Sequence, residues 1–255
     1  MTQLIHHPAI LFVVLVVLLS LGASLGALLL HRIAPLSEDA RENFNVVQGA
    51  TLTLLALLIG FTLSMAVSRY DQRKNYEEEE ANAIGTEYVR ADLIGAAGGA
   101  TIRPLLAQYL QLRIDYYKTR NTDELDANNR KTADLQGRLW STVRDAALAQ
   151  PNPVTALAVA GMNDVLNTQG YTQAAWINRI PLSAWMLMIV IAFFSNLMQG
   201  YGIRAGSGRR VLLFVLPFTV SLSLALIADI DSPRGGLIRV APLNLISLQQ
   251  SFSPQ

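Results

Sequence analysis

The sequence predicts an all-α membrane protein with four transmembrane helices and a helical insert that stands in water. Three observations lead there. Four apolar segments stand out from a chain of 255 residues with 51% hydrophobic content, and a bilayer crossing needs ~20 mostly apolar residues. Most charges fall between Arg69 and Arg179, inside one block between the second and third apolar segments. No stretch alternates as a strand does. Net charge is +1, so bulk charge points to neither nucleic acid nor an anionic surface. The absence of cysteine excludes disulfides, thiolate metal sites and cysteine nucleophiles.

The first span is 8–30. Its start carries no Lys or Arg and its apolar run exceeds that of a secretory signal, so it reads as a retained helix. Gly22, Ala23, Gly26 and Ala27 give it a small-residue face suited to close packing. Residues 31–45, with Pro35 and Ser37-Glu38-Asp39, read as a polar loop. The second span is 46–67, closing a first membrane segment at 1–67. The chain then runs without Gly or Pro to Gly85, which predicts one long helix, half in lipid and half in water. Arg73/Glu77 and Lys74/Glu78 are opposite charges four apart, which support a helix surface.

The insert is 68–180. Gly95-Ala-Ala-Gly98-Gly99 comes after a helical stretch rather than a strand, so it reads as a flexible helix connection and not a phosphate cradle. A helix over 101–117 takes Pro104 in its first turn and Leu105, Leu106, Tyr109, Leu112 and Tyr116 as its apolar stripe. Residues 119–129 read as loop. A helix over 132–149 has Leu135, Leu139, Trp140 and Val143 inward. Pro151-Asn-Pro153 breaks it, and a further helix covers 154–179 with a soft spot at Gly170.

The third span is 181–198, with Trp185 near the interface. A loop with Gly200-Tyr201-Gly202, Arg204, Arg209 and Arg210 leads to the fourth span at 211–228. A tail covers 229–255. Four spans place both termini and the insert on one side. Arg69, Arg73, Lys74, Arg179, Arg234 and Arg239 flank the membrane on the insert side, against Arg32, Arg41, Arg204, Arg209 and Arg210 on the other. That slight excess puts termini and insert in the cytoplasm.

Candidate functional residues fall into four sets. Thr53, Leu57, Phe61 and Met65 recur every four residues on one face of the second span. They fit a pore face with an apolar constriction, or ordinary helix and lipid contact. Gly49, Ala56, Gly60 and Ser64 form an adjoining small-residue stripe for helix packing between subunits. Glu77 and Glu80, within the run Glu77–Glu80, fit an acidic ring that favours cations, or a solvated surface paired with Arg73 and Lys74. Arg69, Arg73, Asp229, Asp231 and Arg234 form a charge cluster at the membrane edge, with mutual pairing as the plain reading. No nucleophile–base pair or metal cluster occurs. His6, His7 and His31 lack zinc spacing. No enzyme, cofactor or metal site is predicted.

Several short signatures point one way: Glu80-Ala-Asn82-Ala-Ile-Gly85-Thr86, Leu139-Trp140, Asn163, Arg179-Ile-Pro181 with Trp185, Gly200-Tyr201, and Asp229-Ile-Asp231-x-Pro233-Arg-x-Gly236-Leu-Ile-Arg239-Val. With them the chain resembles the bacterial membrane-protein family that carries a bestrophin-like domain of unknown function, over nearly its whole length. It is more distantly similar to the bestrophin ion channels, in which the second span lines the pore with a Gly-Phe followed by an Arg-aromatic step. Gly60-Phe61 and Arg69-Tyr70 match that pattern. The resemblance implies a neck at Phe61, Leu57 and Thr53, with Thr53 a polar departure, and a homo-oligomeric ring, a pentamer. Only Asp229 and Asp231 stand where animal bestrophins hold calcium, too few to predict calcium gating. The expected function is an ion channel of the bacterial inner membrane, with lipid and inorganic ions as partners and no nucleic acid. The alternative is a non-conducting scaffold or signalling protein whose insert binds a partner.

Overall fold

The computed structural model describes residues 7–33, 36–203 and 209–252, and every element among them is helical. In chain order these are α1 (Pro8–Leu25), α2 (Glu38–Arg90), α3 (Gly95–Lys118), α4 (Thr122–Ala149), α5 (Pro153–Ile177), α6 (Leu182–Gly202), α7 (Arg209–Asp231) and α8 (Leu243–Phe252). The chain divides into two units, one of Met1–Arg69 with Arg179–Arg239 and one of Tyr70–Asn178 with Val240–Gln255.

Among the described residues four helical stretches are long and apolar enough to cross a membrane, and the first unit holds Pro8–Leu30 and Leu213–Asp231 whole. Within it α1 packs on both α6 and α7. Leu11, Leu15, Leu19, Ala23 and Ala27 make its buried stripe, while Ile10, Val13, Val17 and Leu21 stay exposed. Apolar side chains on the outside are what lipid requires. The small-residue face lets backbones touch. A Cβ on Gly26 would fall on the carbonyl of Leu197, and one on Gly200 on the carbonyl of Ala23. At this contact α1 widens into a π turn over Gly26–Leu30, followed by the short turn His31–Ile33.

The second unit has one continuous core, with Ile84, Ile102, Leu106, Tyr109, Leu110, Ile114, Leu139, Val143, Met162, Val165 and Leu245 almost fully buried. Asn121 caps α4 by accepting from Asp123 N at 2.8 Å. Asn152 and Thr155 form a capping box on α5, where Pro153 takes a first-turn position that needs no N–H donor.

Several expectations are corrected. The loop 31–45 is shorter, because Ser37 accepts from Ala40 N and α2 starts at Glu38, its acids favoured by the helix N-terminus. The loop 119–129 shrinks likewise, since Asn121 starts α4 early. The glycine-rich joint turns at Ala91–Ile94 in a 3-10 turn closed by Gly95 at φ +80°. Gly98 and Gly99 lie inside α3, as does Pro104. Gly170 lies in uninterrupted helix. The third span continues to Gly202, and Arg204 lies outside the described residues. The expected tail 229–255 is two segments: residues up to Arg239 belong to the membrane unit, and α8 belongs to the insert.

Candidate functional site

The candidate site is built on α2, and its exposure pattern sets what each face can do. Leu55, Thr62 and Ala66 are buried within the membrane unit. The opposite face holds Thr53, Leu57, Phe61 and Met65, all exposed in the single chain, with Phe61 at 69%. Thr53 is less polar than its name suggests. Its hydroxyl donates to the Gly49 carbonyl at 2.9 Å, which spends its one donor on its own helix. Gly49, Ala56, Gly60 and Ser64 are also exposed, and a Cβ at Gly49 or Gly60 would meet nothing within 4 Å. Among the described residues the small stripe therefore packs on nothing in its own subunit.

The acidic pair is corrected. Glu77 and Glu80 are 1% and 0% exposed, so neither stands on a solvated surface of the subunit. Glu80 is bound by the Arg113 guanidinium, Nε donating, and also accepts from the Tyr117 hydroxyl at 3.3 Å and the Thr172 hydroxyl at 3.3 Å. The Arg113 guanidinium lies 4.4 Å over the Tyr116 ring. Glu77 accepts from Leu245 N at 3.0 Å and from Asn244 Nδ2 at 2.6 Å, capping α8. Burial pushes its pKa above the usual carboxylate range, against the pull of those donors. Within the acidic run the exposed members are Glu78 and Glu79.

The edge cluster is brought together only in part. Arg69 Nη1 lies 3.5 Å from Asp231 Oδ1, and Asp231 also accepts from Ile180 N at 3.1 Å. Asp229 instead closes the turn after α7, accepting from Leu237 N at 2.7 Å and Ile238 N at 2.8 Å. Gly236 lies so close that a Cβ there would come within 2.5 Å of the Asp229 carbonyl. Arg73 belongs to the insert and donates to the Ala175 carbonyl at 3.2 Å. Arg234 is part of the turn and half-buried. Asp231 thus holds the start of the α6 segment, and Asp229 holds the turn.

Sequence reasoning missed Arg113, Tyr117, Thr172 and Asn244. A signal for Arg113 was present: it interrupts an otherwise apolar stripe that includes Leu106, Tyr109 and Leu110, where an unpaired cation would be costly.

A family model described as the Bestrophin-like domain matches residues 17–245. Crystal structures of a bacterial bestrophin homologue from Klebsiella pneumoniae share the fold. One carrying a single substitution superposes with a TM-score of 0.68 at 14% identity, covering 94% of this chain and 95% of that one. A second, phased on zinc, gives 0.64 at 15% identity with the same coverage. A third, with a different substitution, gives 0.66 at 14% identity over 96% and 98%. No curated protein matches by sequence.

Proposed function

Because the chain belongs to the bestrophin-like family, we propose that it is the subunit of a homo-oligomeric ion channel whose pore is lined by α2. It is a multi-pass membrane protein by its apolar helices and its family. In this reading it sits in the bacterial inner membrane with termini and insert in the cytoplasm, and the ring is a pentamer, as in the bestrophins it resembles. The observation that carries the reading is the two-sidedness of α2. Leu55, Thr62 and Ala66 satisfy the subunit, while Thr53, Leu57, Phe61 and Met65 face away from it next to a small-residue stripe with open space. Small residues let neighbouring copies approach, and an apolar ring at Leu57 and Phe61 closes a pore by dewetting.

Charge preference is assigned to different acids from Glu77 and Glu80. Residues eighteen apart on one helix are separated by about five turns and share a face. Asp71 and Glu79 therefore repeat the direction of Thr53 and Phe61, and both are exposed. Glu80 repeats the direction of Thr62, which is buried. Carboxylate rings at Asp71 and Glu79 would favour cations.

The test is ion flux from liposomes holding the purified oligomer, wild type beside Phe61→Ala. Removing the ring should widen the neck and raise flux at least several-fold. Equal flux from both, at equal incorporation, removes Phe61 from the pore. No flux from either, in a preparation shown to be folded and oligomeric, overturns the channel reading.

A further inference from the structure

Glu87 plays no part in the pore reading, yet its surroundings are unlike those of the other acids. It lies on α2 within the insert and is 0% exposed. Among the described residues neither of its carboxyl oxygens has a hydrogen-bond partner. The oxygens press on α5 at Gly161: a Cβ there would fall on Glu87 Oε2 and within 2.6 Å of Arg90 Nη1. Glycine is what leaves room for the carboxyl at this crossing.

Among the described residues the charged groups that act on it are Arg90 and Asp164. On its own helix Arg90 lies beside the carboxyl at Gly161, and its Nη1 donates to the Leu157 carbonyl of α5 at 3.4 Å. From α5, Asp164 acts on it with like charge. From the joint after α2, Asp92 is held by Arg103 of α3 at 2.6 Å. A buried carboxylate with no donor is costly, and a neutral carboxylic acid avoids that cost.

We propose that Glu87 is a proton-binding switch in the insert. Protonated, it is a neutral side chain that fits against Gly161 and lets α2 and α5 close. When it loses the proton, the new charge draws Arg90 off the Leu157 carbonyl and loosens the crossing beside the Gly95 joint. The switch does not depend on conduction.

Burial pushes the Glu87 pKa up to about 8, with Arg90 opposing and Asp164 adding to the rise. Between the unfolded value near 4.5 and about 8 the folded chain binds a proton that the unfolded chain has released, so stability falls with rising pH across that window. Below the window the contribution is fully present, and above about pH 8 it is lost.

The experiment is thermal unfolding of the full-length oligomer in detergent from about pH 5 to about pH 9, comparing wild type with Glu87→Gln. The wild-type midpoint should fall by several degrees relative to the variant as pH rises, because Gln stays neutral. Parallel curves overturn the proposal. An infrared titration supplies the direct readout: a protonated-carboxyl band that fades near pH 8 and is missing in Glu87→Gln. A band unchanged by the substitution also overturns it. If Glu87→Gln fails to assemble, Asp164→Asn carries the test. It changes an exposed residue and removes the like charge, so the band should titrate at lower pH. An unmoved midpoint in that variant refutes the assignment.

Discussion

Glu80 and Arg113 form an ion pair with both side chains fully out of solvent, and such a pair weighs on stability mainly when broken. Among the described residues Arg113 has only its Nε engaged by hydrogen bonding, with Nη1 and Nη2 left without partners. The Tyr116 ring beneath it supplies part of the missing stabilisation. Replacing Arg113 by Met should therefore destabilise the insert by about 3–5 kcal/mol, because Glu80 would be left buried and uncompensated. Adding Glu80→Met to that variant should recover much of the loss. A double-mutant cycle read by thermal unfolding measures this, and strictly additive losses would show that the two side chains do not act as a pair. The same residues show where sequence alone stops. Four consecutive acids cover every face of a helix, so composition could not say which two turn inward. The answer depends on Arg113, thirty-three positions away along the chain, and on the N-terminus of α8, which Glu77 caps.

At the scale of elements, the four spans and the long α2 were legible, because apolar length and uninterrupted helix formers are local properties. Loops were overestimated for a local reason too. Ser37-Glu38-Asp39 and Asn121-Thr-Asp123 look like turn chemistry, yet the same residues start helices when the next segment is itself helical. Glycines need the neighbour to be known. Gly200 and Gly170 are alike in sequence, but Gly200 meets the Ala23 carbonyl across a helix contact and Gly170 faces open space. Gly200→Val should then force α1 and α6 apart and cost about 1–3 kcal/mol. Gly170→Ala should stabilise α5 by about 0.5–1 kcal/mol, since it removes backbone freedom from a solvent-facing helical position. Unfolding midpoints of the two variants should move in opposite directions, and a loss at Gly170 would mean that the position is packed in the oligomer.

For the whole molecule, the channel reading requires that each charge on α2 serve either the subunit or the axis, and the helix register divides them. Arg73, Glu77 and Glu80 are buried, so neutralising either acid should act through folding. Glu79 is exposed and repeats the direction of Phe61 about five turns further on. Glu79→Gln should leave stability within about 0.5 kcal/mol while lowering the ratio of cation to anion permeability, read as a reversal potential in asymmetric salt moving toward the anion's equilibrium value. Since a ring repeats the residue in every copy, one substitution removes the whole ring of charge, and the shift should shrink in high salt as screening shortens the reach of the remaining carboxylates. An unchanged reversal potential would mean that the direction set at Phe61 is not kept along α2, and ion preference would then have to arise elsewhere. A collapse of stability would mean instead that Glu79 is engaged between subunits, as Glu80 is within one.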